Sequence, residues 1–274
     1  MVASPLWAAV YWAIAVKWRV PQRVRVHRLQ PAAPVQFPHM TRSPFIFALL
    51  TKASMRTLLL ATLIAAFANS AAAAQPGVTV VYSPGLDSVC ALIRGGTIKN
   101  EWKEELASRK DEFESLWLGA GPKLIEAAEA LTGKPFPAEP VTARLTLCDL
   151  PSQSIMGISV NMRYALKSFV PDPVPMRYKV DTLFHELLHN FLSGHPVTES
   201  SLIAQHASEP DCVRNHLHLL ALQKAVLLRL GEPEALQQVI SIDGRLPSGC
   251  YKRTWALVNT TDTAYLHYVA ELAK

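Results

Sequence analysis

The 274-residue chain is sparing with cysteine (4) and glycine (12), and its first 74 residues contain no aspartate or glutamate. Each shortage excludes something. The glycines follow no G-X-Y period, which excludes a collagen-like helix. None opens a phosphate-cradling loop, because Gly119-Ala120-Gly121-Pro122-Lys123 lacks the spacing and carries a proline. No GxSxG elbow occurs. No two cysteines form a CxxC pair, which excludes a thioredoxin-type centre and argues against a cysteine zinc knuckle.

The missing acids matter more. Eight of the 27 basic residues (Lys17, Arg19, Arg23, Arg25, Arg28, Arg42, Lys52 and Arg56) and none of the 22 acidic ones lie in 1–74. Residues 75–274 therefore hold 19 basic against 22 acidic residues, a net charge of −3. The formal +5 of the whole chain belongs to its leader. The remaining 200 residues are mildly acidic and carry no Lys/Arg cluster, which argues against a nucleic-acid partner. Half of the whole chain is apolar and 18% charged, which excludes a disordered polymer. Two hundred residues suffice for one domain with a substantial core.

Met55-Arg56-Thr57, the apolar run Leu58 to Phe67 and the small stretch Ala71 to Ala74 make the three parts of a secretory signal over 55–74. Cleavage is expected after Ala74, leaving no stable membrane insertion and a periplasmic or secreted product. Residues 1–54 read as an over-extended start, and 75–274 as the working domain. Cys90, Cys148, Cys212 and Cys250 all fall in that domain. An even count in an exported chain favours two disulfides with three possible connectivities, the near-neighbour one, Cys90–Cys148 with Cys212–Cys250, being preferred.

Val78 to Tyr82 reads as a strand. Glu101 to Leu118 reads as a helix stopped by Gly119-Ala120-Gly121-Pro122, with a second helix over Lys123 to Leu131 capped by Gly133. Ala143 to Cys148 and Ile155 to Asn161 read as strands. After the breaker-rich Pro171 to Pro175, helices are expected at about 178–192, 199–208, 211–230, 232–240 and 262–273. The order is α+β, with a small sheet in the first half and helices in the second.

Six of the nine histidines lie between His185 and His218, beginning with His185-Glu186-Leu187-Leu188-His189. Four helical residues advance about 400°, so His185 and His189 share a face one turn apart and can hold one zinc ion. Glu186 is offset by about 100° from one and about 60° from the other, beside the metal rather than on it. It is placed to take a proton from an attacking water and return it to a leaving amine. Phe184, Leu187, Leu188 and Phe191 follow i, i+3, i+4, i+7 and bury the opposite face.

The segment 182–191 resembles the active-site helix of the zincin metallopeptidases. The likeness rests on about ten residues, and the order of elements extends it over 75–274. It implies a small N-terminal sheet packed on the HExxH helix with a mainly helical C-terminal half, zinc as cofactor, and a peptide or protein as substrate. It also implies that the edge strand Ile155–Asn161 aligns an extended peptide by strand addition.

The resemblance offers two third ligands. His195 has the metzincin spacing HExxHxxGxxH, but Leu192 stands at the glycine position, Gly194 reads as an ordinary helix C-cap, and no methionine follows Met176 to form the later turn. Glu209, 20 residues beyond His189, has the spacing of thermolysin-like gluzincins, with Val213 where those enzymes carry aspartate. Glu209 is the expected ligand and His195 its rival, with His206, His216 and Glu199 also open. Glu209, at the start of the next long helix, and His216 are seven apart on one face of a helix running to about Leu230. His216 is therefore expected in the catalytic site, orienting a ligand or stabilising an oxyanion, while His218 points away. Tyr251, Tyr265, His267 and Tyr268 are further possible oxyanion donors. The expected function is an exported zinc metalloendopeptidase. A non-catalytic zinc-binding protein of the envelope, or a disulfide-stabilised binding domain, stays open beside it.

Overall fold

A computed structural model describes residues 76–274, Met156 apart. The leader, the expected signal sequence and its cleavage point lie outside the described residues. The elements are β1 (Val78–Tyr82), α1 (Pro84–Arg94), α2 (Asn100–Thr132), β2 (Val141–Thr146), β3 (Ile158–Asn161) and a 3-10 turn (Arg163–Ala165). Then come α3 (Met176–Gly194), α4 (Ser201–Gln205), α5 (Asp211–Arg214), α6 (Leu217–Arg229), α7 (Pro233–Asp243), α8 (Cys250–Val258) and α9 (Ala264–Leu272). No helix among the described residues is long and apolar enough to cross a membrane.

The three strands form one parallel sheet in the order β1-β2-β3, with Val78 opposite Val141 and Ala143 opposite Ile158. A parallel return needs a long crossover. Helices α1 and α2 supply the first, and the loop 147–157 supplies the second. That loop folds back on the outer edge of β3. Ser159 exchanges both backbone hydrogen bonds with Gln153 (3.0 and 2.8 Å), and the Asn161 N–H donates to Ser152 Oγ (3.0 Å). The edge expected to accept a peptide strand is thus occupied by the chain itself. Regular strand structure begins at Ile158 rather than at Ile155.

The expected break at residues 119–122 does not occur. Helix α2 runs unbroken through Pro122 for 33 residues. Proline costs a helix a hydrogen bond and crowds the preceding turn, but Leu118, Gly119 and Pro122 all lie on its exposed face. Gly121 has a packing reason: a Cβ there would stand 2.5 Å from the Trp117 indole, which is buried against the helix backbone. Burial of Leu106, Phe113, Trp117, Leu124 and Ile125 along one side, at ~1.5–3 kcal/mol per large side chain, outweighs the local cost. The helix ends at Gly133, whose φ of 69° suits a residue without Cβ.

Helix α3 begins after Pro175 and packs against β3, α2, α6 and α7. Leu183, Phe184, Leu187, Leu188 and Phe191 are all at most 1% exposed. The side of α3 opposite the histidines is thereby fixed in the core. Gly194 is the last helical residue rather than the cap. His195 caps the helix, its N–H reaching Phe191 O (3.0 Å) and Leu192 O (3.2 Å).

The second half departs from expectation twice. The helix expected over 211–230 is broken between Arg214 and Leu217, and Cys250–Val258, left unassigned in the expected order, forms a helix. Both departures bear on the site. Cys90 pairs with Cys148 and Cys212 with Cys250, with Cα–Cα separations of 5.6 and 5.9 Å, the near-neighbour pairing.

Candidate metal centre

His185 and His189 project from the same side of α3, their ring centroids 5.0 Å apart. The third member of the cluster is His216, 5.4 Å from the His185 ring and 5.0 Å from that of His189. Among the described residues these three form the one group of histidine, cysteine or carboxylate side chains able to converge on a metal ion, with ligating atoms within 4.8 Å of one another.

His216 arrives there through the break between α5 and α6. Its ring Nδ1–H donates to Cys212 O at 2.6 Å, the carbonyl that its own backbone N–H would use in a continuous helix. The backbone N–H turns instead to Val213 O at 3.1 Å. A side chain competing for the i−4 carbonyl in this way interrupts a helix. Cys212 is itself held by its disulfide to Cys250, and the next residue, Tyr251, places its ring 4.9 Å from His216 and 5.5 Å from His185. One cross-link therefore positions groups on two separate elements.

The hydrogen bonds sort the ring nitrogens. Gln223 Nε2 reaches toward Asp181 O (3.5 Å), which turns Oε1 to accept from His185 Nδ1–H at 3.3 Å. His185 and His216 thus each spend Nδ1–H on an oxygen and keep the Nε2 lone pair, the arrangement that orients imidazoles toward a metal. The Tyr251 hydroxyl lies 3.4 Å from His185 Nε2. Burial, followed by repulsion from the neighbouring imidazoles, holds His185 well below the ordinary histidine range. The same causes bring His189 to about 4. Burial also lowers His216, against the opposing bond to Cys212 O. At neutral pH all three are uncharged nitrogen donors, the set that suits zinc and other borderline divalent metals.

Glu186 is 3% exposed and makes no hydrogen bond among the described residues. Burial pushes its carboxyl up to about 8. With His185 and Tyr251 it lines one end of a cavity of about 750 Å³, whose wall continues through Lys179, Tyr178 and Asp243. His189 and His216 complete the cluster just beyond that wall.

The other expected ligands are elsewhere. Glu209 accepts from Arg253 (2.5 and 3.0 Å); it precedes Pro210, outside the helix on which a seven-residue spacing would have aligned it with His216. His195 Nε2 donates to Pro135 O at 2.8 Å. His206 bonds the Tyr268 hydroxyl (3.0 Å). His218 bonds Glu271 (2.9 Å). Of the four late-chain oxyanion candidates, Tyr251 alone reaches the triad; Tyr265 lies under Lys224.

Gln223 and the Cys212 carbonyl escaped sequence reasoning because only tertiary contact makes them partners of a histidine. Lys179 is not singled out by that reasoning either, although a helical wheel puts it on the Glu186 side, seven residues away.

No protein-family model matches the chain, and no curated protein or solved structure matches it.

Proposed function

We propose that this chain is an exported zinc-dependent hydrolase of peptide bonds, of zincin type. His185, His189 and His216 hold the metal, Glu186 moves the proton, and Tyr251 donates to the developing oxyanion. One observation carries the reading. A third neutral imidazole converges on the HExxH pair beside a buried carboxyl that has no hydrogen-bond partner among the described residues.

Zinc bound at the triad would supply a Lewis acid for the scissile carbonyl and a lowered pKa for the attacking water. Glu186 accepts the water's proton and returns it to the leaving amine. Its carboxyl is raised by burial in the metal-free chain, and the charge of a bound divalent cation would favour the ionised form that a base requires. Tyr251 stays protonated at neutral pH, because burial and then the nearby Glu186 and Asp243 charges oppose its ionisation. It is therefore a donor. Two disulfides suit an oxidising compartment and support export.

The test uses the full chain purified with zinc. Glu186→Gln should keep the metal and lose ~10²–10⁴-fold of the cleavage of a mixed peptide library followed by mass spectrometry. Unchanged cleavage with zinc retained contradicts the assignment.

A further inference from the structure

The cavity wall holds a charge that this chemistry does not use. Lys179 stands seven residues before Glu186 on α3, about 10 Å along the axis and about 20° around it, and both line the same cavity. Lys179 is only 5% exposed. Its ammonium lies 5.6 Å from the centroid of the Tyr178 ring, and among the described residues it makes no hydrogen bond and no ion pair.

Among the described residues none of the three buried carboxyls of the same wall pairs with Lys179. Glu186 makes no hydrogen bond there, and Asp181 keeps Oδ2 unpartnered while its Oδ1 is engaged elsewhere. Asp181 accepts from Arg177 at 3.2 and 3.3 Å, and Asp243 accepts from Tyr178 (2.8 Å) and Trp255 (2.9 Å). Helix α3 has no acid in its first turn, so its positive end adds to the charge of Lys179 rather than offsetting it. A buried cation without a counter-ion is costly. Burial alone pulls its ammonium down to about 8.

We infer that Lys179 receives a carboxylate of the substrate, so that the cavity takes peptides with a carboxylate about three extended residues from the bond that is cut. The distance comes from the helix rise and the ~3.3–3.6 Å span of an extended residue. The position of the cut bond rests on the hydrolase reading above, whereas carboxylate recognition rests only on the cavity and its cation.

Three probes separate the sources of carboxylate: N-acetyl-tetraalanine as the free acid, the same peptide as its C-terminal amide, and the amide with glutamate as its last residue. Binding is measured calorimetrically on zinc-loaded, full-chain Glu186→Gln protein, with and without Lys179→Met. The free acid should bind about tenfold or more tighter than the alanine amide, the scale of one charge-assisted hydrogen bond. That preference should vanish in Lys179→Met and return in Lys179→Arg. If the glutamate amide matches the free acid, the subsite takes any carboxylate; if it matches the alanine amide, it takes a chain terminus.

Equal affinity for all three probes, or discrimination that survives Lys179→Met, overturns the inference. Lys179→Met should also raise the melting temperature of the ligand-free chain by removing an unpaired buried charge, and a fall would mark the ammonium as structural. Failure of the hydrolase reading shows separately, as no cleavage of any probe by the zinc-loaded wild type.

Discussion

Two histidine clusters share the helical half of this chain, and they are completed in opposite ways. Around Glu271, every lone pair is used. Its carboxylate accepts from Ser200 Oγ (2.5 Å), His218 Nε2 (2.9 Å), Ser201 Oγ (3.3 Å) and the Leu202 N–H (3.4 Å), tying α9 to α4 and α6. Burial pushes that carboxyl up, but the bonds from Ser200 and His218 more than offset it and hold it below the ordinary range. Around His185, no carboxylate joins the imidazoles. The Nδ1–H groups of His185 and His216 are committed to neutral oxygens, and among the described residues His185 Nε2 meets only the Tyr251 hydroxyl, at 3.4 Å. The ligating atoms of the three rings lie within 4.8 Å of one another. The first arrangement is what a fold needs in order to bury polar groups. The second leaves nitrogen donors that a packed interior does not use, and this contrast separates a tie from a candidate binding site.

The contrast can be broken from either side. The largest effect on the fold is expected at the saturated cluster. Glu271→Ala strands four donors and should cost about 2–4 kcal/mol in chemical denaturation, with zinc content unchanged. Loss of zinc there would merge the two clusters into one functional unit. A smaller effect is expected from the support of the open cluster. Gln223→Leu removes the acceptor that orients His185 and should weaken zinc ~10–100-fold in a competition titration, with little change in stability. Equal zinc affinity would mean that Gln223 plays no part in aiming the ring.

The smallest effect is a difference in pH windows, measured on metal-free protein. The triad histidines are held below their ordinary value of 6.5, His189 at about 4, so the unfolded chain takes up protons first as pH falls. The triad's contribution to stability should therefore decline from about pH 6.5 towards 4, against the opposite trend of the raised Asp181, Asp243 and Glu186 carboxyls. Burial lowers His218 too, and it adds to the same decline. Glu271 acts with the same sign in a lower window: its contribution is complete above the ordinary glutamate value of 4.5 and is lost as pH falls through its lower folded value. The double substitution His189→Ala with His216→Ala should flatten the upper window in melting-temperature measurements and leave the lower one. An unaltered upper window would show that these two histidines are not held below their ordinary value.

Features confined to one turn or one strand were legible in the sequence. The β-branched run at Val78–Tyr82 forms the strand it suggests, and the i, i+3, i+4, i+7 face of α3 is the buried one. His185, Glu186 and His189 take their relative places from helix geometry alone. What was missed depends on contacts between distant segments. Pro122 sits inside a helix because packing of the Trp117 side outweighs its local cost. Residues 250–258 carry aromatic and β-branched side chains that conceal a helix, yet a disulfide starts it and Trp255 buries it. The third imidazole comes from 27 residues beyond His189, and a continuous helix over 211–230 would have carried it elsewhere. Glu209 looked right by spacing, but the spacing assumed a helix that begins only after Pro210.

The identity of the third ligand is the central claim, and metal analysis of full-chain variants tests it most directly. Wild type, His195→Ala and Glu209→Ala should each retain close to one zinc per chain after dialysis, and His216→Ala should retain almost none. Zinc kept by His216→Ala and lost by Glu209→Ala or His195→Ala would contradict the account.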